Sequence, residues 1–251
     1  MTLADRIAEL GGGWMMASFS TPRFLSHLKD HLTTVASGRE AELIERIETR
    51  AQEIFDADAG ALVVDTGSRG MLVMSAAVLA AFEILGEVVG ERERTILFLQ
   101  HVFTESMVHV NSLATRLLLR RGAGGLDGVD AFVRPLTRIY GRTMEFEFER
   151  RGDEWLEMRV TRCFFKEFFD RRGERDVTTV MCAADAFWMD EIDPALMGLR
   201  SERTSLMSLG DDVDRFRIVT TDDPLATNRD VLKERGPGRV AADAAAARRP
   251  R

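Results

Sequence analysis

Cys182 and Asp185 stand three residues apart in a segment whose apolar residues, Val177, Val180, Met181, Ala184 and Trp188, recur at helical spacing. That spacing predicts a helix on which thiol and carboxylate are neighbours, one turn apart. A free thiol can act as nucleophile or metal ligand, and a carboxylate can hold a cation or move a proton. The pairing sets a limit, because a nearby negative charge disfavours the thiolate. Asp185 alone therefore cannot activate Cys182, and the missing cation or base must be Arg159, Arg162 or a histidine. Three roles for Cys182 stay open. It can be a small buried hydrophobe, a nucleophile with His101 or His109 as base, or a metal ligand with Cys163 and a histidine. The wide spacing of the two cysteines, with no local partner, places the metal role last.

A second constellation falls on a long helix predicted over Thr95 to Arg120. Apolar residues cover most of its circumference, and His101, Glu105, His109, Ser112 and Arg116 share one narrow polar face. Two histidines flanking a glutamate can line a ligand cavity, run proton transfer or bind a metal; the same stripe can also be a solvent edge. The expectation carried forward is that His101, Glu105 and His109 face an internal pocket. His27 and His31 are four apart on an earlier helix. With no third ligand beside them, they read as solvent-facing polar residues rather than a metal pair.

These groups need elements to position them. Thr21-Pro22 opens a helix that Gly38 ends, with Thr21 as its cap and Pro22 in its first position. Residues 39–58 follow as a charged amphipathic helix, and Ser68 to Val89 reads as a nearly all-apolar, central helix made slim by Ala76, Ala77, Ala80 and Ala81. Gly122 to Gly128 is a connector, with a short helix from Val129 to Tyr140 after it. Thr143 to Glu149 and Glu154 to Arg162 alternate as an antiparallel hairpin around Arg151-Gly152-Asp153. Its buried face carries Met144, Phe146 and Phe148 against Leu156, Met158 and Val160, and its charged face stays wet. Cys163 then enters a short aromatic helix (Phe164, Phe165, Phe168, Phe169) closed by Gly173. The second Cys helix, a strand with Glu202-Arg203-Thr204, a turn at Gly210-Asp211-Asp212 and a strand through Phe216 and Ile218 complete the pattern. Pro224 to Arg235 is one more helix candidate.

That order of parts resembles the L-2-amino-thiazoline-4-carboxylic acid hydrolase family. The matching positions are Cys163, Cys182 with Asp185, Glu202 to Thr204, Gly210 with Asp211, and Asp214 with Phe216. One departure is Val213, where many members carry a further cysteine. The resemblance implies hydrolysis of a C–N bond in a small cyclic amidine, by water or thiol attack on the amidine carbon. It implies Cys182, Asp185 and Cys163 as catalytic residues. His101, Glu105, His109, Arg116 and Arg203 are the substrate-binding candidates, with an arginine available to clamp a substrate carboxylate. The order of sheet and helices is also similar to vinyl-reductase-like ligand-binding domains, so a non-catalytic small-molecule binder is the alternative, as is a family member with different chemistry.

Composition bounds the rest. Apolar residues at 45% and charged residues at 30% are ordinary for a globular protein. A net charge of −7 with no basic stripe argues against nucleic acid as partner. Two cysteines are too few for a disulfide framework and suit a cytoplasmic protein. The N-terminal residues lack an apolar signal core, and the longest uncharged run, Met71 to Phe82, is too short to span a bilayer. The expectation is an α+β protein: a helical part over 1–121 packed on a small antiparallel sheet with helices over 129–223, and a disordered tail over 236–251. No cofactor, metal or membrane is expected; the partner is a small-molecule substrate, with a homo-oligomer open.

Overall fold

A computed structural model describes residues 13–121 and 125–237; for 108–121, 186 and 187 the description is of the backbone alone. The residues before 13 and the expected tail from 238 onward lie outside the described residues. A π-helical turn, Met16–Ser20, runs straight into helix α1, Thr21–Val35. Thr21 is thus inside continuous helix rather than capping it, and its hydroxyl donates back to the Met16 carbonyl at 2.9 Å. Helices α2 (Glu40–Leu62), α3 (Thr66–Val89) and α4 (Arg92–Arg121) follow. Helix α3 is long and apolar enough to cross a membrane by length and composition, and the other helices bury most of its circumference. Ala76, Ala77, Ala80 and Ala81 are all buried.

Helix α5 (Gly125–Thr137) starts inside the expected connector and passes into a 3₁₀ segment, Arg138–Thr143. Strands β1 (Glu145–Arg151) and β2 (Trp155–Arg162) form the hairpin. After α6 (Phe164–Arg171), the segment read as one Cys-bearing helix is broken into α7 (Thr178–Ala183) and α8 (Ala186–Met189). The break falls at Ala184–Asp185. There the Cys182 carbonyl takes a hydrogen bond from Arg203 besides the one from the Asp185 amide. A short α9 (Pro194–Met197) leads into β3 (Leu199–Ser205), and β4 (Asp214–Thr220) returns beside it. A two-residue β5 (Arg229–Asp230) and α10 (Val231–Arg235) take the place of the single helix expected over Pro224 to Arg235.

The sheet order is β1-β2-β4-β3-β5, and every pairing is antiparallel except β3 with β5. The expected all-antiparallel sheet is therefore a mixed one, extended by an edge strand too short to leave a periodic signal. The fold is α+β, helical in its N-terminal half with the sheet in its C-terminal half. The period of two sends Leu156, Val160, Asp214, Phe216, Ile218 and Arg203 to the helix-facing side. The opposite face carries ions, among them Glu157, 2% exposed beneath Arg215 and Arg217 at 3.0 and 2.6 Å.

One polar joint ties the helical layer to the sheet. Asp65 caps α3 by accepting from the Ser68 amide at 2.7 Å, and its second oxygen accepts from the Arg142 amide at 2.8 Å, just ahead of β1. Burial pushes its carboxyl up, but those backbone donors and Arg142 outweigh it and leave the pKa lowered. Gly67 permits the close approach, since a Cβ there would lie 2.8 Å from the Tyr140–Gly141 backbone; Gly141 itself has φ +67°. Asp65→Ala removes both acceptors at once and should cost about 2 kcal/mol in denaturant unfolding. A cost below about 0.5 kcal/mol would mean the joint is not what orients the two layers.

Candidate active site

The helix-facing side of the sheet and the helices above it do not close on each other completely. Between them lies a cavity of about 340 Å³. Phe103 and Met107 of α4, α5 and the Met16–Ser20 turn form its helical walls; Phe146, Met158 and Phe216 form its floor. Cys163, Cys182, Asp185 and Asp214 all open onto it. Among the described residues no arginine, lysine or histidine lines it.

Each polar group arrives by a different route. Cys163 is the extended residue between β2 and α6, so its side chain points off the end of the sheet beneath the helices. Cys182 lies in the last turn of α7, its sulfur 3.4 Å from the Ser208 hydroxyl. Asp185 sits in the break before α8, where Cβ directions no longer follow a single helix. Asp214 opens β4 on the same face as Phe216, and its carboxyl accepts from the Met207 amide at 2.5 Å.

Arg203 organises them. Its side chain has no solvent exposure. Nε and Nη2 both donate to the Asp230 carboxylate at 2.8 Å; Nη1 donates to the Cys182 carbonyl at 2.6 Å and lies 3.5 Å from Asp185 Oδ2. One cation thus serves the end of α7, the α7–α8 break and the edge strand β5. It is not available to clamp a substrate carboxylate, and that expected role is corrected to one of positioning.

Burial and the charges nearby shift Asp185, Asp214, Cys163, Cys182 and Tyr140. Burial raises Asp185 to about 7, with Arg203 opposing and Asp214 and Asp230 assisting. Burial raises Asp214 to about 6 against the Met207 amide and Arg203. Both thiols rise for the same reason, first burial and then Asp214: Cys163 to about 12, Cys182 well above its ordinary range. The phenol of Tyr140, the chain's one tyrosine, also lines the cavity and is raised by burial and by Asp185. At neutral pH the cavity therefore holds two neutral thiols, a neutral phenol, an Asp185 carboxyl near half-ionisation and an Asp214 carboxyl that is mostly ionised. That combination favours a cation, and it supplies groups that can take or give a proton without a large driving force.

The polar stripe on α4 lies elsewhere. His101 is 60% and Glu105 46% exposed, on the side of α4 away from Phe103 and Met107. The expectation that they face the pocket is corrected for these two: helical spacing defines a common face without saying which way it looks. The side chains of His109, Ser112 and Arg116 are outside the described residues. Asp214 and Tyr140 were not among the expected site residues. The signal for Asp214 was present, since it shares strand parity with Phe216; nothing in the sequence singles out Tyr140. Val213 does not line the cavity, so the family's extra cysteine would not be replaced by an apolar wall residue here.

The raised carboxyls give a statement about pH. An aspartate whose native pKa exceeds its unfolded value of about 4 holds its proton more firmly when folded. Its stabilising contribution is complete below about pH 4 and is lost as pH rises through about 6 for Asp214 and about 7 for Asp185. Asp185→Asn cannot ionise and leaves Arg203 paired with Asp230. Thermal melts of variant and parent should nearly coincide at about pH 4, and the variant should gain by about 3 °C or more at about pH 8. A difference that is the same at both pH values would rule out titration of Asp185 in this window.

No curated protein matches the chain. The family model for L-2-amino-thiazoline-4-carboxylic acid hydrolase matches residues 71–218, from the central helix to the β4 strand, a span that contains all four polar groups described above. The chain belongs to the L-2-amino-thiazoline-4-carboxylic acid hydrolase family.

Proposed function

We propose that the cavity is the active site of a hydrolase that opens a C–N bond in a small cyclic amidine of the 2-amino-thiazoline-4-carboxylate type. The observation that carries this reading is the convergence of Cys163, Cys182, Asp185 and Asp214, four positions of the family pattern, on one cavity. An amidinium is a flat cation with two N–H donors on one edge. A carboxylate receives it through two parallel hydrogen bonds, strengthened where water is excluded. The surrounding methionines and phenylalanines take the ring and any apolar substituent.

The electrostatics favour water over thiol as nucleophile. Both thiols are held neutral by burial and neighbouring carboxyls, whereas Asp185 is near the pH at which a general base works best. Asp185 removes a proton from water as the oxygen bonds to the amidine carbon. The C–N bond then breaks, and the departing nitrogen takes the proton back from Asp185. Cys182 packs beside the reacting carbon, and Arg203 holds Asp185 in place. A second reading, a non-catalytic small-molecule-binding domain, draws on the apolar walls: seven of the chain's 12 methionines line the cavity, giving a soft surface that adapts to varied ligands.

Ring opening of a 2-amino-thiazoline substrate, followed at steady state, separates the possibilities. Asp185→Asn should lower kcat/KM by about 10²–10⁴, the usual contribution of a positioned base. Cys182→Ala should keep turnover within about tenfold while lowering the melting temperature. The opposite ranking would make Cys182 the nucleophile. Tight binding of an amidine by the parent protein without turnover would leave the binding domain as the better description.

A further inference from the structure

Three of the chain's four histidines gather around one carboxylate on the far side of α4 from the cavity. His31 reaches across from α1 and places Nε2 2.7 Å from Glu105 Oε2. His101, one turn before Glu105 on α4, has Nε2 3.3 Å from the other oxygen. The two imidazoles meet edge to face with centroids 5.2 Å apart. One donor atom from each of the three residues lies within 4.8 Å of the others. His27, one turn before His31, is near enough to act on the Glu105 charge.

A histidine hydrogen-bonded to a surface glutamate needs no ion, and most such pairs hold none. Two features set this cluster apart. It has two nitrogen donors and a carboxylate, the donor set of many zinc sites, where two ligands plus a stray acid would not suffice. Its ligands also stand on two helices already fixed to each other. Arg23 of α1 donates from Nε to the Ser106 carbonyl of α4 at 2.6 Å, Phe24 meets Phe103 edge to face at 5.4 Å, and Leu28 and Leu32 are fully buried below. Phe98 backs the His31 ring, centroids 6.4 Å apart. Only side-chain rotation is then needed to bring three donors to about 2.0–2.2 Å from an ion, and the exposed His101 ring is free to turn. Sequence spacing could pair His27 with His31 but could not show the third ligand, which the fold brings from 70 residues or more away.

We infer that His31, His101 and Glu105 form a site for a divalent transition-metal ion of zinc type, which clips α1 onto α4. Nitrogen donors argue against magnesium or calcium, which take oxygen ligands. Three protein ligands leave a fourth position to water or His27. Phe103 and Met107 line the cavity from the opposite side of the same helix, so the ion would take no part in the reaction there. It would brace the Met16–Ser20 turn, a cavity wall that continues directly into α1.

Calorimetric titration of the metal-free full chain with zinc tests this. One equivalent should bind at micromolar Kd or tighter and raise the melting temperature, while magnesium does neither. His31→Gln and Glu105→Gln should each weaken binding by about tenfold or more, and the zinc-induced rise in melting temperature should shrink with it. Metal-free melts of the two variants show whether they are folded. Should one fail, cobalt bound to the parent still reports the site through the intense visible absorption of a low-coordinate complex with nitrogen and oxygen ligands, without a thiolate charge-transfer band. A Cys163→Ala/Cys182→Ala variant should bind zinc as the parent does. No binding by the parent, unchanged affinity in both His31→Gln and Glu105→Gln, or loss of binding in the cysteine variant would each overturn the inference.

Discussion

A guanidinium with no access to water is the constraint around which the C-terminal half is arranged. Arg203 cannot give up its proton, so the fold must surround it with acceptors. Asp230 supplies two, on a two-residue strand whose parallel register places it directly beside Arg203. The Cys182 carbonyl supplies a third, and Asp185 supplies the nearby charge. Such a buried ion group adds little net stability, because desolvation offsets most of its attraction. What it does is fix geometry. The helix bearing Cys182 ends where Arg203 takes its carbonyl, and Asp185 is turned out of helical sequence toward the cavity.

The same constraint sets the chemistry. One buried cation faces three carboxyls: Asp214 and Asp230, both buried, and Asp185, half-buried at the cavity. Asp230 takes the bidentate contact, and the other two share what remains of the positive field. Burial raises their pKa values toward neutrality because that remaining field is too weak to offset it, and burial raises the thiols likewise. A cationic ligand would restore the balance. Under the proposed function, binding of an amidinium and the acid–base poise of Asp185 share one origin: buried carboxyls with too little positive charge beside them.

Much of this was legible in local pattern, and the exceptions share a cause. Strand parity in β1 and β2, helical spacing in α3 and α4, and the order of Cys, Cys-x-x-Asp and Asp-x-Phe are short-range features that the sequence displays openly. The family model spans the same motifs. What could not be read depends on contacts between distant segments. Strand β5 exists only because β3 is there to pair with it. The helix over Val177 to Trp188 breaks because Arg203 intervenes. The stripe of His101 and Glu105 was correctly a common face, but which side of α4 meets the sheet is decided by packing. Arg203 was expected to bind substrate because arginine is seldom fully buried, and its partner Asp230 lies in a segment without periodicity.

The two faces of α4 show how one helix can serve separate purposes. Phe103 and Met107 project into the cavity, while His101 and Glu105, two positions out of step, meet His31 of α1 outside it. A side chain on either face is constrained by the other, since α4 cannot roll to relieve one contact without disturbing both. The Arg23–Ser106 hydrogen bond and the Phe24–Phe103 contact hold α1 to α4 at that joint. The turn from Met16 to Ser20 continues without interruption into α1, and so the cavity's helical wall inherits its position from contacts made on the far side of α4. The apolar wall, soft in its methionines, is thus carried on a rigid frame, while the polar groups are held from the sheet side by Arg203. Under the proposed function, ligand shape and proton transfer thereby fall to different layers of the fold, so that the wall can vary without moving the carboxyls.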